Sequence, residues 1–110
     1  MNGKLDGTSL RVPIPDGSIT DFTAVLSATP SVEDINQAFA SAASTDPLQG
    51  VLSYSEDPLV SADIVGDPSS CVFDSGLTMT VDNLAKVSGW YDNEWGYSNR
   101  LVDLVEITCS

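Results

Sequence analysis

Residues 8–14 (TSLRVPI) alternate, with Leu10, Val12 and Ile14 on one side and Ser9, Arg11 and Pro13 on the other. A period of two reads as a strand with one apolar face. Pro13, which has no amide hydrogen, interrupts that strand or places it at an edge. Pro15-Asp16-Gly17 is a turn signal, because proline presets φ and glycine accepts a positive φ. The run 18–26 (SITDFTAVL) resumes the alternation with Phe22, Ala24 and Leu26 on one face. The two runs are therefore expected to lie side by side as antiparallel strands.

The period then changes. Ser31 followed by Glu33 and Asp34 has the form of a helix N-terminus, with a hydroxyl cap and acids suited to the macrodipole. Val32, Ile35, Phe39 and Ala42 follow at helical spacing among further alanines, and Pro47 closes the segment. The pattern predicts a helix over 31–44. From 50 to 91 short apolar runs alternate with breakers. Strands are expected at 50–54, 62–65, 71–74, 77–81 and 84–91, the last two joined as a hairpin at Asp82-Asn83. Trp95, Leu101, Val102 and Val105 return to helical spacing, which predicts a final helix over 94–106. The order implies an α+β fold, a mostly antiparallel sheet with helices packed on one face.

Composition narrows the function classes. The 110 residues carry 16 acidic groups against four basic ones (Lys4, Arg11, Lys86 and Arg100), a net charge of −12. Such a chain repels phosphate backbones and anionic bilayers, so neither nucleic acid nor a membrane surface is expected as a partner. The acids are scattered in the manner of a solvated surface, and no metal is expected. No apolar run approaches the ~20 residues of a membrane span, and no hydrophobic leader segment is apparent. The cytoplasm is the expected compartment. Histidine is absent, and Cys71 and Cys109 stand far apart outside any CxxC pattern. A reactive thiol needs a base or a positive field, so Cys71, between Ser70 and Val72-Phe73, is expected to be a small buried hydrophobe and Cys109 an exposed bystander. The glycines form neither a dinucleotide fingerprint nor a P-loop.

Two rare motifs carry a resemblance. The segment N-G-K-L-D-G-x-x-x-R-V-P at 2–13 and the segment W-Y-D-N-E-W-G-Y-S-N-R at 90–100 are each similar to hallmarks of the phosphorylating glyceraldehyde-3-phosphate dehydrogenases. Between them GVLSYSEDPLVSADIV (50–65) and FDSGLT (73–78) agree in order and spacing. The chain resembles the C-terminal part of that family's catalytic domain over essentially its whole length.

The resemblance implies a parent enzyme that oxidises and phosphorylates glyceraldehyde 3-phosphate to 1,3-bisphosphoglycerate with NAD. In that family a Rossmann domain binds the cofactor, a cysteine in an S-C-T-T-N motif attacks the aldehyde, and a histidine activates the cysteine. Neither the motif nor a histidine occurs in these residues, so the chain is expected to hold no catalytic residue and to be inactive alone, as a truncated catalytic domain without the NAD-binding domain. Arg11 matches the family arginine that helps bind phosphate, for which a planar guanidinium fork is suited. Asn93 matches the asparagine that hydrogen-bonds the nicotinamide carboxamide, and Tyr91 and Tyr97 flank the same pocket. Without the resemblance Arg11 reads as a surface or ion-paired arginine, Asn93 as a cap or turn residue before the last helix, and the tyrosines as packing.

Three functional readings follow. One is the truncated dehydrogenase domain. Another is a non-enzymatic interaction module, because in the family one face of this sheet builds the tetramer contacts and the last helix packs on the Rossmann domain; self-association is then expected. The third keeps the family and changes the substrate to erythrose 4-phosphate. The residues that separate the substrates, and NAD from NADP, lie largely outside this sequence.

Overall fold

A computed structural model describes residues 2–109. In chain order the elements are β1 (Ser18–Val25), α1 (Val32–Ala43), β2 (Leu52–Ser55), α2 (Ser61–Ile64), β3 (Cys71–Asp74), a 3₁₀ turn (Ser75–Leu77), β4 (Met79–Val81), β5 (Leu84–Tyr91) and α3 (Trp95–Cys109). The sheet runs β1-β5-β3-β2, with β4 also paired to β5. Only β2 and β3 are parallel; the other pairings are antiparallel. The architecture is the expected α+β sheet, and β5 is the strand on which it is built. Along one edge β5 meets β1 over its full length, from Ser18 opposite Tyr91 to Val25 opposite Leu84. Along the other it meets β3 and then β4.

The cap read from the sequence is present. Ser31 Oγ accepts from the Asp34 amide at 3.1 Å while Asp34 Oδ2 accepts from the Ser31 amide at 2.9 Å, a reciprocal pair that satisfies two free donors of α1. Ile35 on its inner face packs with Phe73 and Ala85, and Phe39, Leu52, Tyr54, Val87 and Leu26 close round them. Alternation puts Phe73, Ala85 and Val87 on the α1 side of the sheet. Asn36 ties the helix to the turn after β3, donating to Ser75 O at 3.2 Å and accepting from Thr78 Oγ1 at 2.7 Å. On the opposite face Trp90 Nε1 donates to the buried Asp74 at 2.9 Å.

Two expected strands do not form. Residues 8–14 make no ladder with β1; the Ile14 amide turns back to Val12 O at 2.9 Å, and Leu10 is 87% exposed. Alternation marks a face but names no partner, and Pro13 removes the donor that pairing would use. Residues 62–65 lie in and after the single helical turn α2, where Asp63 Oδ2 accepts from the Val60 amide at 2.8 Å and only Ile64 is buried. An acid that can bond back to the chain competes with extended structure. The strand expected at 77–81 is shortened to β4 because Asp74 accepts from the Gly76 amide at 3.1 Å and initiates the 3₁₀ turn.

Cys71 is half-buried rather than buried, and burial raises its thiol pKa. It lies against Gly89, where a Cβ would come within 2.4 Å of Sγ. Cys109 is exposed as expected. The final helix begins where Gly96 packs against the 69–70 backbone; a Cβ there would sit 2.5 Å from Ser69 O. Beyond that turn Leu101, Val102, Leu104, Val105 and Ile107 are all exposed.

Candidate functional site

The end of β5, the start of α3 and the Pro15–Ser18 turn meet at one corner of the molecule. An open cleft of about 370 Å³ lies there, lined by Tyr91, Asp92, Asn93, Gly96, Tyr97 and Arg100 among others. The three residues assigned by resemblance to a cofactor pocket, Tyr91, Asn93 and Tyr97, are thus brought together on it. Arg11 is not among its lining residues. It sits exposed on the 8–14 segment and makes no hydrogen bond or ion pair among the described residues.

Asp92 builds the corner. Its side chain is 95% buried by exposure, with 5% accessible. Oδ1 accepts from the Trp95 amide at 2.7 Å and the Glu94 amide at 2.9 Å, and Oδ2 accepts from the Gly66 amide at 2.8 Å. These three amides stabilise the charged form and lower the carboxyl pKa, that of Gly66 most. The cap of α3 is therefore Asp92, although by sequence alone that part falls to Asn93. Asp16, Asp92 and Glu94 bring one oxygen each within 4.8 Å of one another. The Asp92 oxygens are taken up by amides, and Asp16 Oδ1 accepts from the Gly17 amide at 2.7 Å and the Asn93 amide at 3.4 Å. The cluster is explained by its backbone donors.

Asn93 reaches across instead of capping. Its Oδ1 accepts from the Gly17 amide at 3.0 Å and its Nδ2 donates to Ser18 Oγ at 2.8 Å. The turn that receives it requires glycine: Gly17 has φ +88° and a Cβ would lie 2.8 Å from Ser61 O. Tyr97 is 68% exposed and Tyr91 half-buried, and neither hydroxyl is hydrogen-bonded among the described residues. Packing therefore does not account for Tyr97. Arg100 pairs through Nε with Asp103 at 2.8 Å and donates from Nη1 to Gly50 O at 3.3 Å, closing the cleft on its far side.

Asp16, Ser18, Asp92 and Arg100 escape the sequence reading as site residues. A D-x-x-W spacing ahead of a helix is a legible cap signal for Asp92. Nothing local connects Ser18 with Asn93, which lie 75 residues apart.

Comparison with known proteins shows the family of the chain. Residues 1–93 match the family described as "Glyceraldehyde 3-phosphate dehydrogenase, C-terminal domain". The chain is 64% identical over 107 residues to a glyceraldehyde-3-phosphate dehydrogenase of Mycobacterium avium, a match covering 97% of this chain and 31% of that protein. It is 61% identical over 107 residues to the Mycolicibacterium smegmatis enzyme of that name, with the same coverage. With glyceraldehyde-3-phosphate dehydrogenase 2 of Streptomyces arenae it shares 58% over 107 residues, covering 97% of this chain and 32% of the relative. The chain spans about a third of the length of the curated relatives it matches. By family model and by identity alike, this chain belongs to the glyceraldehyde 3-phosphate dehydrogenase family, as a stretch of its C-terminal domain.

Proposed function

We propose that this chain contributes one wall of the active site of a phosphorylating glyceraldehyde-3-phosphate dehydrogenase and performs no reaction by itself. The observation that carries the reading is the convergence of Tyr91, Asn93 and Tyr97 on one cleft. Asn93 fits a carboxamide: after its two internal hydrogen bonds it keeps one N–H and one lone pair, the complement of a nicotinamide amide. NAD, when bound, would supply the hydride acceptor. Asn93 would orient its nicotinamide end, with Tyr91 and Tyr97 beside it. Arg11, exposed and unpaired among the described residues, is available to bind substrate or inorganic phosphate through its fork of donors. The nucleophilic cysteine and the histidine base are not among the 110 residues, so both belong to other parts of such an enzyme. Erythrose 4-phosphate as substrate, and NADP as cofactor, are alternatives within the same reading.

The test is reduction of NAD with glyceraldehyde 3-phosphate and phosphate. The chain alone should give the blank rate, and a complete dehydrogenase carrying this segment should give turnover that Arg11→Ala lowers chiefly through the KM for phosphate. Turnover by the isolated chain would refute the reading.

A second reading is favoured by α3. Tyr97, Leu101, Leu104 and Val105 form an exposed stripe, whereas Arg100 on another face reaches back to Gly50. A helix that shows its apolar side outward is a docking surface. In the complete enzyme it would pack on the cofactor-binding domain; in this chain alone it would drive self-association. No helix among the described residues is long and apolar enough to cross a membrane; a parent enzyme of this activity would work in the cytoplasm.

A further inference from the structure

We infer that Ser18 is a positioning residue for Asn93, fixing the plane and sense of its amide so that a donor and an acceptor are presented together to a carboxamide ligand. The inference rests on the reading of Asn93 as a cofactor contact and assigns a role to the Pro15–Ser18 turn.

The sense of the amide follows from the backbone. An amide N–H only donates, so the atom facing Gly17 N at 3.0 Å must be Oδ1. Nδ2 is then the atom 2.8 Å from Ser18 Oγ, and the hydroxyl is its acceptor. One anchor would leave the amide torsion broad, as it is for asparagine generally. Two anchors on one side chain remove that freedom. The side chain's position is set as well, because Asp16 Oδ1 receives the Asn93 amide at 3.4 Å while also holding Gly17 N at 2.7 Å. Ser18 begins β1 opposite Tyr91, so its hydroxyl is placed by the full β1–β5 ladder rather than by a loop. The remaining N–H and lone pair of Asn93 are thereby presented at the cleft in a fixed orientation. Preorganisation of this kind favours binding by removing an ordering cost.

The test is a double-mutant cycle in a complete dehydrogenase carrying this segment, reading KM for NAD and kcat separately. Asn93→Ala should raise KM for NAD by about tenfold or more, the loss of hydrogen bonds left unpartnered. Ser18→Ala should raise it by roughly three- to tenfold with kcat at saturating NAD little changed. Ser18→Thr should restore it by returning the hydroxyl. In the Asn93→Ala background Ser18→Ala should add nothing. Should Ser18→Ala not yield soluble enzyme, Ser18→Cys, close in shape with a much weaker acceptor, carries the same comparison. An Asn93→Ala enzyme with an unchanged KM for NAD would overturn the cofactor reading itself. A raised KM in Asn93→Ala with none in Ser18→Ala, or an equal effect of Ser18→Ala in both backgrounds, would overturn the role of Ser18 and leave that reading standing.

Discussion

Phe39 of α1 lies flat on Phe73 of β3, ring centroids 3.9 Å apart and planes within 8°. Phe73 is also 5.8 Å from the Tyr54 ring of β2, so one side chain joins the helix to two strands. Phe73→Ala should cost about 3–5 kcal/mol of stability through the cavity it leaves. Phe39→Ala, from a partly exposed position, should cost less. Denaturant unfolding of the two variants gives the order, and a larger loss for Phe39 would place the centre of the core elsewhere.

Asp34 and Asp92 both have carboxyl pKa values lowered on folding, Asp34 by the Ser31 amide and hydroxyl, Asp92 by the amides of Gly66, Trp95 and Glu94. A lowered folded pKa means that the unfolded chain binds the proton first. Their stabilisation is complete above the ordinary aspartate value of about 3.9 and is lost as pH falls through the lower folded values. Asp92→Asn should lower stability at pH 7 and flatten the acid limb of a melting-temperature profile. An unchanged acid limb would mean that Asp92 is not held as drawn.

Gly96 seats α3 on the 69–70 backbone, with no room for a Cβ against Ser69 O. Gly96→Ala should destabilise by roughly 1–3 kcal/mol although alanine is the better helix former, because here contact outweighs propensity. Faster proteolysis within α3 at unchanged β-sheet circular dichroism would locate the damage. A stabilised variant would show that the helix sits farther out.

The stripe of Leu101, Leu104 and Val105 is exposed in the described fold. Leu101→Lys with Leu104→Lys should leave the helix intact and abolish concentration-dependent sedimentation of the isolated chain. Equal sedimentation of both proteins at all concentrations would remove α3 from any self-association.

Structure is legible in the sequence where one segment holds its own instructions. Ser31 and Asp34 satisfy each other across a single helical turn, so the start of α1 is visible in four letters. The turn before β5 is similarly local, with Asp82 at φ 53°. Structure is not legible where the partner is distant. The 8–14 run has a clean apolar alternation, yet β1 takes its ladder from β5, 59 to 73 positions away. At 62–65 an apolar run too short to display its period folds as one turn of helix. The site divides in the same way. Motifs point to Tyr91, Asn93 and Tyr97, but the orientation of Asn93 is set by Gly17 and Ser18. Only the register of β1 on β5 brings those residues to it.

That register has a kinetic consequence. β5 is paired with β1 along its full length on one side and with β3 and β4 on the other, so its amides should be among the last to exchange with deuterium. The outer turns of α3, exposed and touching little, should be the first. The cleft thus has one wall, ending at Tyr91, that yields only when the whole sheet does. Its other wall, carrying Tyr97 and Arg100, belongs to the helix that opens earliest. A ligand or a covering domain that closes on this corner would slow exchange in α3 and leave β5 as it was.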